Sequence, residues 1–266
     1  MSDLMSALLF IFIITLAVFA LRLAEARRNM EQAEAALTSA TSVRILLLEA
    51  IRRELAKRGI DVEIEFEHGI LRLTDRAIRF PRGEAVPYPD HHAHVGAVAR
   101  VLRDVLSCYA HGRSTPALDG LPPPPAAPFC LPPAPFPDPP RCEEAIPGVR
   151  VDTVLIEGHT DNVPLVANPR YKDNLDLSAG RAAEVYRMMT SCEPDLASLV
   201  NKQGAPILNV AGYGESRPLD PKRPDADVNR RIDLRFLMES PRPRKRDAPP
   251  VPQRVLKATE RAVNER

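Results

Sequence analysis

The chain has 266 residues and a formal net charge of +1, with 36 Lys and Arg against 35 Asp and Glu. That balance excludes a bulk electrostatic pull toward nucleic acid, and the length allows one or two domains with a core of useful size. The 28 prolines are strongly clustered, Trp is absent and aromatics make up 5%, so part of the chain is an extended insert rather than a second core. The four cysteines, Cys108, Cys130, Cys142 and Cys192, contain no C-x-x-C pair, which leaves zinc and thioredoxin-type chemistry without support. Their even number fits disulfides in an oxidising compartment.

Leu4 to Leu21 is a run of 18 uncharged, mostly apolar residues. As a helix it spans about 27 Å, enough to cross a bilayer. The start, Met1-Ser2-Asp3, is acidic rather than basic, unlike a signal peptide. Leu23-Ala24-Glu25-Ala26 mimics a cleavage site, but a single uncleaved span is the expectation. Asp3 stands at the mouth of this helix. By position alone, Ser2 or Asp3 reads as a cap for the orphan N–H groups and the positive dipole end.

Residues 24–59 read as a connector helix, rich in Ala, Glu, Gln, Arg and Leu and free of Pro until Gly59, an expected C′ residue. Val43, Leu47, Ile51 and Leu55 share one stripe, with Leu48 beside it. The helix packs on the following domain, forms a stalk or dimer seam, or does both. Val62–Phe66 and Ile70–Leu73 alternate apolar and polar around Gly69 and predict a β-hairpin. A helix follows from about Asp90 to Tyr109, with Val95, Val98, Leu102 and Leu106 on one face. His111 to Pro147 is a Pro-rich insert, expected as a polyproline II-like surface loop. Its cysteines leave all three pairings of the four thiols open.

Val149–Gly158 is a strong strand, Arg181–Met189 a helix, and Ile207–Val210 and Ile232–Leu237 two further strands. With the hairpin this order predicts an α+β sandwich. The tail from Ser240, basic and Pro-rich, reads as largely disordered, with a short helix near Val255–Val263.

Four short motifs follow one another in the second half: Gly158-His159-Thr160-Asp161, Leu177-Ser178-Ala179-Gly180-Arg181-Ala182, Gly212-Tyr213-Gly214-Glu215 and Asn229-Arg230-Arg231-Ile232. This ordered set resembles the OmpA-like peptidoglycan-binding domain, over about Val62 to Met238. Phe80-Pro81-Arg82-Gly83 matches that family's turn into its first helix. The resemblance implies a transmembrane helix (1–23), a connector helix (24–59) and an OmpA-like α+β sandwich (60–239), its mixed sheet carrying helices on one side. The Pro-rich insert would occupy 111–147, and 240–266 would be the tail.

The implied ligand is a peptidoglycan stem peptide of the diaminopimelate type, which offers an ammonium and a carboxylate on one carbon. Asp161 would accept from the ammonium, and Arg181 would fork onto the carboxylate. Ser178 would cap the helix, whose backbone N–H groups add to the anion site. Thr160, Asn174, Leu177, Arg230 and Arg231 complete the expected binding set. The stretch Pro164–Asp173 separates Asp161 from Arg181 by more than the plain OmpA pattern, and resembles the longer Thr-Asp-Asn-x-Pro loop of flagellar stators.

Ser2-Asp3-Leu4-Met5-Ser6 in turn resembles the ion-carrying aspartate region of MotB-type stator subunits, most closely those of the ZorB type from Zorya anti-phage systems. A carboxylate entering a membrane is costly and, where kept, marks an ion path. The implied ion is a proton, with no cofactor. The implied partner is a polytopic MotA- or ZorA-like subunit, five copies around a homodimer of this chain, since one span lines no pore. The implied location is the inner membrane, with the C-terminal domain periplasmic. Arg22, Arg27 and Arg28 would place that side in the cytoplasm by the positive-inside rule, but a long translocated domain overrides flanking charge. A few residues upstream of Met1 are also expected. Flagellar use and passive wall tethering stay open as alternatives. An enzyme using Glu157 and Asp161 as a carboxylate pair has no cleft signal behind it. His91, His92 and His94 lack ligand spacing for a metal.

Overall fold

The computed structural model describes residues 2–114, 130, 149–165, 168 and 170–239, with side chains from Leu9 onward. Helix α1 runs over Ser2–Ala56 without a break between the expected span and connector. The described residues fall into two compact units, one up to Thr38 and one from Ser39 to Glu239.

In the first unit the large apolar side chains Leu9, Phe10, Ile11, Phe12, Ile13, Ile14, Leu16 and Phe19 are all exposed, and none packs into a core. This helix is long and apolar enough to cross a membrane. Thr15, a polar residue in the run, turns its hydroxyl onto the Ile11 and Phe12 carbonyls at 3.0 and 2.8 Å. Such internal pairing is what a hydrocarbon environment requires. Asp3 lies in the first turn of α1, its side chain outside the described residues.

The second unit is an α+β fold. Its five-stranded sheet has the order β1-β2-β7-β4-β6, from β1 (Val62–Glu65), β2 (Ile70–Leu73), β4 (Val151–Gly158), β6 (Leu208–Gly212) and β7 (Ile232–Met238). β4 and β6 are parallel, and the other pairs are antiparallel, so the sheet is mixed. Gly69, at φ +68°, makes the hairpin turn, and Gly59, at φ +71°, follows the end of α1.

Alternation along the strands sorts the two sheet faces. Leu71, Leu73, Val154, Ile156, Ile232, Leu234 and Phe236 form one core with residues of α1, α2 (His92–Leu106) and α3 (Asn174–Cys192). The α1 stripe Val43, Leu47, Leu48, Ile51 and Leu55 is at most 1% exposed. At about 1.5–3 kcal/mol for each such side chain, this stripe is committed to its own domain rather than to a seam with a second copy.

The other sheet face is ionic. Arg72 bonds Asp233 at 3.1 Å and Glu65 at 3.2 Å, while Arg235 grips Glu157 with two bonds of 2.6 and 3.0 Å.

Three expectations need correction. The helix near Arg181 starts at Asn174, and its N-cap is Asp173, which accepts from Asp176 N at 2.8 Å; Ser178 is inside the helix. The reason is local: an Asp one residue before the helix reaches the orphan N–H groups first. The opening of the Pro-rich stretch is structured, because Gly112–Arg113 forms β3 and pairs with β5 (Leu199–Val200) beyond the short helix α4 (Pro194–Ser198). The helix expected from Asp90 begins instead as a 3-10 turn, Pro89–His91, because Pro89 sets the first turn.

Cys130 is bonded to Cys192, at the end of α3, and Cys108 is also disulfide-bonded. A bridge between Cys130 and Cys142 is therefore not formed. Cys142, the rest of the insert and the tail lie outside the described residues.

Candidate functional site

The site lies where the parallel strands β4 and β6 end together, with Gly158 paired to Gly212. Both positions require glycine because the early part of α3 lies directly on them. A Cβ at Gly158 would run into the Ser178 carbonyl, and one at Gly212 would stand 2.6 Å from Ala179 N. Ser178 Oγ donates to Leu175 O at 2.7 Å and accepts from Gly214 N at 2.8 Å. The second and third motifs are thus sewn together by one hydroxyl.

Beyond β4 the chain enters the loop His159-Thr160-Asp161. Its backbone is pinned by His159 N to Arg231 O at 3.1 Å and Thr160 N to Gly214 O at 3.0 Å. Asn174 braces the loop, donating to the Asp161 and Val163 carbonyls at 3.3 and 3.2 Å. Leu177 packs into the core at 2% exposure. Asn229 does equivalent work on the other side. Its carbonyl oxygen accepts from Leu219 N and Asp220 N, and its amide donates to the Arg223 and Pro224 carbonyls.

Asp161, Arg181 and Arg230 gather here, but in a different pairing from the one expected. Asp161 accepts from Arg230 Nη1 at 2.7 Å and from Val163 N at 3.3 Å. Arg181 is completely buried. It donates Nε to Glu84 O at 2.9 Å, Nη1 to His159 O at 3.2 Å and Nη2 to Pro81 O at 3.2 Å, with its Cζ 4.9 Å from the centre of the Phe80 ring. The Phe80–Gly83 turn, read from sequence only as a lead-in to a helix, is a clasp for this guanidinium. Glu84 was not read as part of the site at all, because a backbone carbonyl leaves no residue-type signal.

Burial pushes the Arg181 guanidinium down to about 10, helped by the charge of Arg230 and opposed by Asp161. For Arg230, burial works in the same direction, but Asp161 and Asp227 outweigh it and raise its pKa. Thr160 Oγ1 and Arg230 Nε are buried and have no hydrogen-bond partner among the described residues.

Arg231 turns away from this group, bonding Asp233 at 3.1 Å and Arg217 O at 3.2 Å. It joins the ionic sheet face, where His159 stacks on Tyr213 with ring centroids 5.4 Å apart. Burial, with the charges of Arg231, Arg217, Arg72 and Arg235, lowers the His159 pKa to about 3. Glu157, His159 and Asp233 bring one ligand atom each within 4.8 Å of one another. The carboxylates of that trio are held by Arg235, Arg72 and Arg231. Glu157 also accepts from Tyr213 at 3.2 Å. Its partners, Arg235 and Tyr213, are different from those of Asp161, Arg230 and Val163.

The fold and site define an N-terminal apolar helix followed by an α+β domain with a charged loop cluster at the carboxyl ends of its parallel strands. No protein-family model matches this sequence, and no curated protein does. Among solved structures the chain is similar to a MotB-like protein from Desulfovibrio vulgaris, at 19% identity and TM-score 0.44, covering 76% of this chain and 98% of that one. It is also similar to the periplasmic domain of Helicobacter pylori MotB, at 17% identity and TM-score 0.39, covering 77% and 98%. A third is the type VI secretion cell-wall anchor from Pseudomonas aeruginosa, at 17% identity and TM-score 0.41, covering 73% and 97%.

Proposed function

We propose that this chain is a wall-anchored stator subunit of a MotA/MotB-type, proton-driven inner-membrane complex, serving anti-phage defence of the Zorya kind. The observation that carries the anchor half is the gathering of Asp161, Arg230 and Arg181 at one loop cluster. A zwitterionic ligand needs one anion and one cation at fixed separation, and the cluster supplies both within a loop braced on every side. The periplasmic position of the domain follows from its ligand. The exposed apolar surface of α1 supports a membrane span.

The anchor is tested with the full chain in detergent and purified diaminopimelate-type sacculi. Wild type co-sediments with the wall at moderate salt. Asp161→Asn, nearly isosteric, loses most of that binding because an amide offers the ammonium no charge. Equal retention of both proteins removes the anchor.

The stator half rests on Asp3, in the first turn of α1, and on the MotB-type context around it. Asp3 takes up and releases a proton as a polytopic partner moves around it, five partner subunits to two copies of this chain. Asp3→Asn separates this from a passive tether, since Asn caps a helix as well as Asp does. The expected outcome is normal insertion, assembly and wall binding with complete loss of ion flux and biological activity. A fully active Asp3→Asn protein at normal level leaves a wall tether and no motor.

A further inference from the structure

We infer that residues 23–40 of α1 pair with the same residues of a second copy, as a short parallel coiled coil directly after the apolar run. This rests on the two-copy membrane complex proposed above and gives its self-contact a place. Over this stretch Leu23, Met30 and Leu37 recur at intervals of seven, and Ala26, Ala33 and Ala40 each stand three residues further on. Those are the a and d positions of a heptad repeat. All six are apolar, while the charges of the stretch, Glu25, Arg27, Arg28, Glu31 and Glu34, fall at other positions. α1 runs through the whole stretch without a break.

In one copy this face is open. Leu23, Met30 and Leu37 are 46%, 65% and 53% exposed, and Ala26 and Ala33 are exposed beside them. The apolar side chains of the span are exposed as well, but lipid covers those without cost, and hydrocarbon gives them no reason to associate. Beyond Arg27 and Arg28 the helix stands in water. There the same exposure is unfavourable, and pairing removes it.

The strict period of seven identifies the occupant. On a straight helix such a stripe drifts by about 20° per heptad, so a partner helix that winds with it keeps the contact. A second copy brings the same stripe. Because the repeat follows directly on the run Leu4–Leu21, two copies inserted the same way through one membrane meet parallel and in register, Met30 against Met30 and Ala33 against Ala33. The repeat also has an end. Its next positions after Ala40 are Arg44 and Leu47. Arg44 donates to the Glu67 carbonyl at 3.2 Å, and Leu47, 1% exposed, belongs to the core of its own domain. From there the helix face is taken within the chain, so the pairing stops before it.

The test uses the full chain in bacterial membranes, its own disulfides in place, with single added cysteines. Met30→Cys, Ala33→Cys and Leu37→Cys lie on the seam, and Arg28→Cys and Ala35→Cys lie on the outer side of the helix. In a parallel pair the seam positions alone bring Cα atoms within the about 4.4–6.8 Å that a disulfide spans. After mild oxidation, non-reducing electrophoresis should show roughly tenfold or more linked dimer at the seam than at the outer positions, with wild type as background. Adding Met30→Lys and Leu37→Lys to the Ala33→Cys chain should remove its linkage, because two charges then stand in the seam. Equal linkage at seam and outer positions overturns the inference. So does linkage at neither, as when the polytopic partner covers this face, and so does linkage at Ala33→Cys that survives both lysines. Wall co-sedimentation and the Asp3→Asn assay are read in parallel. Failure of either removes the anchor or the motor and leaves the linkage pattern standing, whereas a failed pattern with wall binding intact removes the seam alone.

Discussion

Ser178 Oγ and the Gly214 amide, 36 residues apart in sequence, meet at 2.8 Å in the buried layer between α3 and the end of β6. The hydroxyl answers a backbone N–H that faces no other acceptor there, and it does so because glycines at 158 and 212 let the helix descend onto the sheet. Ser178→Ala leaves that amide unpaired and should cost about 1–3 kcal/mol. Gly158→Ala drives a methyl into the Ser178 carbonyl and should cost as much or more. Thermal melts of the full chain in detergent check both. A Gly158→Ala protein as stable as wild type would show that α3 does not rest on β4 as described.

Stability should fall on acidification through His159. In the folded chain this histidine titrates near 3, against 6.5 for the ordinary side chain. Between those values the unfolded chain binds a proton that the folded one refuses. The contribution is therefore fully present above 6.5 and is lost as pH falls toward 3, at about 1.4 kcal/mol per pH unit. His159→Phe keeps a ring on Tyr213 and removes the titration. Urea melts at pH 7 and pH 4.5 should show wild type losing roughly 2–3 kcal/mol more than the variant. Parallel losses in the two proteins would contradict the burial of His159.

The Cys130–Cys192 bridge closes a loop of sequence separation 62. Loop-closure entropy of that size is worth about 4 kcal/mol. Reduction, or the paired Cys130→Ser and Cys192→Ser change, should lower the melting temperature markedly, and non-reducing peptide mapping of exported protein should recover a peptide joining these two residues. A Cys130–Cys142 peptide in its place would refute the pairing.

Removing the clasp from Arg181 should destabilise without touching the wall-facing charges. Phe80→Leu keeps apolar volume but takes away the ring beneath the guanidinium, a contact worth about 0.5–2 kcal/mol. The expected result is a modest drop in melting temperature with wall binding intact. Changed wall binding at constant stability would move Phe80 from scaffold to ligand contact.

Much of the fold was legible because its signals are periodic. The hairpin around Gly69, the α1 stripe from Val43 to Leu55 and the strands at 151–158 and 232–238 follow from alternation or helical spacing alone. The site was legible as a set of residue types but not as pairings. Nothing in the sequence says that Asp161 bonds Arg230 across 69 positions while Arg181 serves three carbonyls. Side-chain partners are chosen by burial and by whichever acceptors the loops leave unpaired, and backbone carbonyls are invisible in residue identity. Ser178 was misread as a cap for the same reason: Asp173 had no periodic signal to mark it as the helix start. The small β3–β5 sheet escaped notice because two residues per strand give no alternation to read.

The ionic face of the sheet has a consequence for how the strands find one another. Ile232, Leu234 and Phe236 face inward, and sliding β7 by two residues along β2 would keep apolar groups facing inward. Burial alone scarcely distinguishes those alignments. The outward charges do. Arg72 stands opposite Asp233, and the two-residue slide would set it against Arg231 or Arg235 instead, like charge on like charge at cross-strand distance. The row of Glu65, Arg72 and Asp233 therefore works as a proofreading mark, penalising misaligned sheets that the greasy side of the strands would accept.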